Sequence, residues 1–398
     1  MLRILTFSTL FPNATAPHFG VFVENRLRQL VDSGGVEARV VAPVPWVPRG
    51  LPLPVGYARL ARVPAAETRH GLTVLHPRYP QLPRIGMSLH PFGLAAAVLP
   101  LLRRLIREGF DFDLLDAHYF YPDGVAAWLL ARWLGKPYVV TARGSDLVTI
   151  ARFALPGRLI RCAAQSADGL ITVSKSLQDE LVALGIGRER VTVLRNGVDL
   201  EQFHPVDRAA ARARLGVDGA VIASVGHLIP RKGNAYVIRA LPALPGVTLL
   251  LAGDGPERAM LAALAAELGV EGRVRFLGVV GHEHLAEVYG AADALVLATG
   301  HEGWPNVLLE AMACGTPVVA TAVSGCPEIV AAPQAGRLVP DREPATLAAA
   351  LAALLAAPPS RDATRRYAEG FGWAPTTRGQ LELFHAILAR RRAAPAAA

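Results

Sequence analysis

The chain has 398 residues, more than one ordinary hydrophobic core accommodates, so two domains are expected. Hydrophobic residues make up 52% and charged residues 19%, a balance that excludes an intrinsically disordered chain. A formal charge of +8 leaves nucleic acid, anionic lipid and phosphorylated small molecules open as partners and does not choose among them.

In chain order, the start MLRILTFSTLFPNATAP reads as a first β-strand rather than a secretory leader. Short β-branched runs follow, EARVVAP, DLLDAHYF, PYVVTA, GLITVS and RVTVLRN, with helical stretches such as VFVENRLRQLVDSG and VAAWLLARWLG between them. That alternation predicts a buried parallel sheet covered by helices on both faces. The Pro-rich stretch 43–54 and the segment 77–92 carry neither period and read as loops. After NGVDLEQFHP the rhythm restarts with AVIASVG, VTLLLAG, RVRFLG, DALVLAT, TPVVAT and AGRLVP. Two doubly wound Rossmann-like α/β domains are therefore expected, 1–195 and 196–372. A last helical stretch with a flexible tail, 373–398, is free to pack back on the first domain. Ligands are expected between the domains, outside the carboxyl ends of the strands.

The apolar runs, GLAAAVLPLL from Gly93 and the Ala/Leu stretch 345–357, are too short to span a bilayer. Cys162, Cys314 and Cys326 form no CxxC pair, which argues against a disulfide framework or zinc site and fits a reducing cytoplasm.

Two motifs carry the chemistry. In HEGWPNVLLEAMACGTPVVAT, residues 301–321, a strand ends near Thr299 and Glu302 stands in the loop that follows. Pro305 suits a first helical turn, Gly315 suits the helix end, and Glu310 projects from the second turn. Free N–H groups around Gly303, Trp304 and Asn306 form a terminus able to bind anions and hydroxyls. Two carboxylates suit the two ends of one long polyhydroxylated ligand, because each accepts from neighbouring O–H donors; the bland alternative is a surface loop with two unrelated acids. In SVGHLIPRKGN, residues 224–234, a strand ends near Gly226, and Arg231 and Lys232 precede a helix starting near Gly233. Two cations at a strand end would hold a diphosphate and neutralise charge growing on it, although an isolated RK pair is more often solvated surface.

Weaker signals lie in the first half. Gly20 opens a helix and suits backbone contacts to phosphate; His118 ends a strand; Arg143 and Asp146 sit on the acceptor side or simply hold a loop. Asp111-Phe112-Asp113 matches a DxD metal motif but precedes its strand, so it reads as structural. GDGPER, residues 253–258, lacks the third glycine of a dinucleotide fingerprint, and no P-loop is present.

Together HEGWPNVLLEAMACGTPVVAT, GHLIPRKG, LLLAGDGPER, RVRFLG, LRNGVDLEQFHP and DAHYFYPDG resemble the pattern of glycosyltransferase family 4, retaining enzymes of the GT-B fold. STLFPN and HYFYPDG further resemble bacterial members of teichuronic acid or other cell-surface polysaccharide synthesis. The resemblance implies that Glu302 and Glu310 are the acids of an EX7E motif, the first near the donor sugar and the second on the nucleotide ribose. It implies that Arg231 and Lys232 clamp the diphosphate, and that Gly226, Gly303, Trp304, Pro305, Asn306 and Val307 line the donor pocket. The base would be read after Gly278, Gly20 would approach the phosphates, and His118 would contact the transferred sugar. Two departures affect the donor grip: His227 follows Gly226 where many members carry arginine, and Ser324-Gly325 replaces a Gly-Gly turn.

The expected reaction is retaining, front-face transfer from a UDP- or GDP-sugar to a glycan or lipid-linked acceptor, with no metal and no other cofactor. Cytoplasmic placement is expected, with contact to the anionic inner face of the plasma membrane through Arg103, Arg104, Arg107 and Arg390 to Arg392. Nucleic acid is not expected as a partner, since the basic residues show no aromatic interleaving. The alternatives are a catalytically inactive nucleotide-sugar sensor and a GT-B epimerase or phosphorylase.

Overall fold

The computed structural model describes residues 1–46, 59–80 and 88–393. Most of the expected 43–54 loop, part of the 77–92 loop and the expected tail from 394 lie outside the described residues. The chain divides into two compact units, Met1–Arg195 together with the chain from Ala374 onward, and Asn196–Trp373.

The first unit contains β1 (Leu2–Phe7), β2 (Val36–Val41), β3 (Val44–Pro45), β4 (Ala66–Arg69), β5 (Leu72–Leu75), β6 (Arg78–Tyr79), β7 (Leu114–His118), β8 (Tyr138–Ala142), β9 (Gly169–Thr172) and β10 (Val191–Val193). Eight of these form one sheet in the order β10-β9-β8-β7-β1-β2-β5-β4, parallel except for the β4/β5 pair. Every residue of β7, β8 and β9 is buried, which is why those strands read as apolar runs rather than as alternation. The β4/β5 hairpin turns at His70-Gly71, both with positive φ. Part of what reads as loop is ordered: β3 pairs with β6, and a helix begins at His90 within the 77–92 segment. Two-residue strands carry no period, and the helix starts at a proline-bearing turn that gives a weak signal in sequence.

The C-terminal helix, Ala374–Ala393, packs on the first unit, where Phe384 and Ile387 share a core with Val139 and Ile171. From the helix Val21–Asp32, buried Arg26 donates through Nε to Gln380 Oε1 (2.8 Å) and through a terminal nitrogen to the Leu194 carbonyl (3.0 Å). Burial, partly offset by Asp116, lowers Arg26 to about 10.

The second unit contains β11 (Ala220–Val225), β12 (Val247–Ala252), β13 (Val274–Gly278), β14 (Ala294–Leu297), β15 (Val318–Thr321) and β16 (Gly336–Val339). Their order is β13-β12-β11-β14-β15-β16, with all neighbours parallel. The chain winds outward from β11, returns to the centre and winds the other way from β14, so the loops leaving these two strands lie side by side at the switch point. Gly233, in the first of these loops, has φ +73, and a Cβ there would stand 1.8 Å from the carbonyl oxygen of Ala298 in the second. Only glycine allows this approach. Gly233→Ala should therefore destabilise the second unit by about 3 kcal/mol, roughly 6–10 °C in Tm, whereas Gly272→Ala, with nothing within 4 Å, should be nearly silent; thermal unfolding of both variants measures the difference.

Candidate functional site

The switch point of the second unit brings the two sequence motifs together. Lys232 Nζ lies 2.7 Å from Oε1 of Glu302, Arg231 lies 3.2 Å from the same oxygen, and the Thr299 hydroxyl donates to it at 3.0 Å. Arg231 also donates to the His301 carbonyl at 2.9 Å, while its own carbonyl accepts from Gly300 N–H at 2.8 Å. These bonds cross-link the loop after β11 to the loop after β14. Glu302 is buried, and burial alone would raise its carboxyl; the Lys232 and Arg231 charges and the hydrogen bonds of Lys232 and Thr299 outweigh it and hold Glu302 below the usual carboxylate range. One carboxylate faces two cations, so the cluster carries net positive charge.

The helix after this loop spans Asn306–Ala313, with Pro305 immediately before it and Gly315, φ +78, just beyond its end. Trp304 is buried against Phe371, with ring centroids 6.5 Å apart, and the Asn306 side-chain oxygen accepts from Asn196 at 3.4 Å. Gly325 has no room for a side chain, since a Cβ would meet the Gly303 carbonyl at 2.5 Å; Ser324 takes φ 49 beside it. The Ser-Gly turn thus keeps the left-handed backbone that a Gly-Gly turn supplies more easily.

Glu310, in the second turn, accepts from the Tyr289 hydroxyl at 2.7 Å, and His282 Nε2 lies 3.6 Å from its other oxygen. Neither partner belongs to a motif read from sequence; Tyr289 lies 21 residues away on another helix. Gly226, φ +142, directly follows β11, with the Lys232 side chain passing 3.6 Å from where its Cβ would be. His227 is exposed and its Nδ1 meets the Asp254 carbonyl at 2.5 Å. Gly278 closes β13, accepting at its carbonyl from Gly253 N–H at 2.7 Å.

The first unit has its own switch point, between β1 and β7. There the buried Asp123 accepts from Thr9 N–H (2.8 Å), the Thr9 hydroxyl (3.0 Å) and the Ser8 hydroxyl (3.4 Å), joining the loops after both strands. Burial pushes Asp123 up to about 8 against those bonds. Gly20, φ +73, caps the first helix with the Leu10 carbonyl 2.4 Å from where a Cβ would stand.

His118 ends β7 as expected, but its ring is buried and both nitrogens are engaged. Nδ1 lies 2.6 Å from an Arg143 terminal nitrogen; a guanidinium only donates, so Nδ1 accepts and the hydrogen sits on Nε2, facing Asp116 at 3.3 Å. Burial, opposed by Asp116 and reinforced by Arg143, pushes His118 down to about 4. Within this unit His118 orients Arg143. Asp146 does hold its loop, through the backbone N–H groups of Phe120 (2.9 Å), Gly144 (2.7 Å) and Arg143 (3.2 Å). The DxD residues serve the fold, Asp111 pairing with Lys136 at 2.6 Å and Asp113 accepting from Arg3 N–H at 2.9 Å.

Residues 20–202 match the family described as Glycosyltransferase Family 4, and residues 207–371 match Glycosyl transferases group 1. The D-inositol 3-phosphate glycosyltransferase of Mycobacteroides abscessus is 37% identical over 324 residues, 76% of this chain and 72% of that protein. The protein of the same name from Saccharomonospora viridis is 34% identical over 359 residues, 83% of each. Among solved structures, sucrose-phosphate synthase from Thermosynechococcus elongatus superposes with a TM-score of 0.81 at 22% identity, over 98% of this chain and all (100%) of that one. Anabaena HepE in complex with UDP-glucose gives 0.75 at 21% identity, over 97% and 100%. These relatives are inositol phosphate enzymes and not teichuronic acid enzymes, so the narrower likeness expected from STLFPN and HYFYPDG gains no support. With a relative this similar over most of both chains, the protein belongs to glycosyltransferase family 4 and is a retaining glycosyltransferase of the GT-B fold, with two Rossmann-like domains.

Proposed function

We propose that the protein transfers a sugar from a UDP- or GDP-sugar to a glycan or lipid-linked acceptor in cell-surface polysaccharide synthesis, at the cytoplasmic side of the membrane. The observation that carries the donor assignment is the surplus positive charge of Lys232 and Arg231 around one Glu302 oxygen at a switch point. Lys232 has three N–H donors and spends one on Glu302, so it can take a phosphate oxygen without releasing the carboxylate. Glu302 faces the donor sugar, Glu310 accepts from the ribose hydroxyls, and the N–H groups of the 303–307 turn bind the sugar and phosphates. As the bond from the anomeric carbon to the diphosphate breaks, the cations stabilise the departing charge; the diphosphate accepts the proton of the acceptor hydroxyl, which bonds to the same face. The protein's own cations fill the role a metal plays in other transferases, so no metal or further cofactor is invoked. The activity for which these relatives are named favours a second acceptor class, a phosphorylated inositol.

The exposed Arg103, Arg104 and Arg107 support peripheral contact with anionic lipid. The C-terminal arginines support it less, because Arg391 pairs with Asp168 at 3.1 Å and Arg390 donates to the Asp168 carbonyl at 3.3 Å. Among the described residues no helix is long and apolar enough to cross a membrane.

Three measurements test this reading. Thermal shift over UDP-, GDP- and ADP-sugars, followed by NMR of products from glycan, lipid-linked and inositol phosphate acceptors, should give one stabilising donor and a product of retained anomeric configuration; an inverted product rejects the mechanism. Lys232→Ala should lower turnover about a hundredfold, and normal turnover rejects its role. Glu310→Ala should weaken donor binding by roughly 1.5–3 kcal/mol, about tenfold or more; unchanged affinity by calorimetry removes the ribose contact.

A further inference from the structure

Glu310 is held from two sides. Tyr289 occupies Oε2 at 2.7 Å, and His282 Nε2 faces Oε1 at 3.6 Å. The other ring nitrogen of His282, Nδ1, lies 2.7 Å from the Gln202 side-chain nitrogen, and that same nitrogen lies 3.0 Å from the carbonyl oxygen of His282. A backbone carbonyl only accepts, so it identifies the Gln202 atom as the amide NH2; Nδ1 therefore faces a donor and must accept. The one ring hydrogen is then on Nε2, toward Glu310. Gln202 selects this tautomer, and Gln202 is itself placed: its N–H donates to Asp199 Oδ1 at 3.0 Å. Arg365 ties its loop to the Glu310 helix through the carbonyls of Leu200 (3.2 Å), Phe203 (2.5 Å) and Ala313 (2.8 Å). The Phe203 ring packs edge-on against His282, with centroids 5.0 Å apart.

We propose that His282 is a positioning residue for Glu310: in the tautomer chosen by Gln202 its Nε2–H orients the carboxylate toward the donor ribose, and a second proton on Nδ1 converts this hold into an ion pair that withdraws the carboxylate from the ribose hydroxyls. The inference rests on the assignment of Glu310 to the ribose made above.

The second proton meets opposing forces. An Nδ1–H would point at the Gln202 amide hydrogens, so that amide must turn away and give up two hydrogen bonds. Burial of the ring also works against the charged form. In its favour stand Glu310 from the facing helix, Asp199 from the loop and Glu283 from its own turn, and together they raise His282 above the ordinary histidine range. Tyr289 stays a neutral donor, since burial and Glu310 hold its hydroxyl far above the usual phenol value. His284 pairs with Glu283 at 3.8 Å, and the Arg365 guanidinium is engaged with the loop carbonyls. Because the folded-state value is raised, the imidazolium persists to higher pH than in a free histidine and is lost as pH rises through that value. Donor affinity should therefore rise with pH.

The test is calorimetric titration of the full-length protein with UDP-glucose, GDP-mannose and ADP-glucose, none of which titrates between about pH 6 and about pH 8.5, carrying the tightest binder through the series. Wild-type affinity should rise severalfold across this window, with a limiting slope of about tenfold per pH unit for one linked proton. His282→Gln, which keeps an N–H donor but cannot titrate, should bind with no pH slope. Gln202→Met, which removes the amide opposing Nδ1–H, should move the midpoint to higher pH. A flat wild-type profile, a slope retained in His282→Gln, or an unshifted midpoint in Gln202→Met overturns the proposal. Glu310→Gln separates this from the parent assignment: unchanged affinity there refutes the ribose contact, whereas weakened affinity there with the slope intact in His282→Gln refutes only the role of His282.

Discussion

One oxygen atom, Oε1 of Glu302, organises the second unit's switch point. Three donors from two adjacent loops, the Lys232 ammonium, the Arg231 guanidinium and the Thr299 hydroxyl, converge on it. Taking these charges out of water costs free energy, and a buried ion pair seldom repays that cost as stability alone. What the arrangement does supply is preorganisation: two cations are fixed at a strand-end crevice before any ligand arrives, with one negative charge too few to neutralise them. In the proposed reaction an anion that enters would find its partners already oriented, so that little reorganisation is needed as charge builds on a leaving group.

The other acid of the pair is handled differently. Among the described residues no lysine or arginine pairs with Glu310; a buried tyrosine hydroxyl donates to it and the His282 ring faces it at 3.6 Å. The Tyr289 hydroxyl, a neutral donor, leaves the carboxylate its charge and part of its lone-pair capacity, which suits hydroxyl recognition, whereas Glu302 is matched by two full charges. The first unit repeats the theme of restraint by buried polar groups. Arg26, Asp116, His118, Arg143 and Gln380 link the first helix, the sheet and the C-terminal helix, so the segment farthest along the chain steadies the end of β7.

Much of this was legible from the order of residues. Strands buried on both faces are apolar throughout, so AVIASVG or PYVVTA stood out without neighbours. HEGWPN and PRKG were legible because glycine, proline and paired charges in loops have local physical causes. The short β3/β6 pair escaped, since two residues have no period. His118 ends its strand as read, while its pairing with Arg143, 25 residues along the chain, belongs to the fold.

The sequence by itself determined the α/β alternation, the places where strands end in glycine-bearing loops, and the identity of the charged residues in those loops, since each follows from local periodicity and turn chemistry. Tertiary structure alone decided which loops become neighbours, because that depends on strand order: β11 beside β14 puts Lys232 on Glu302 across a separation of 70 residues. It alone decided the partners of Glu310, the tautomers of His118 and His282, and the direction in which burial and neighbouring charge move each titrating group. Those properties belong to pairs of atoms distant in the chain, and no window of sequence contains both members.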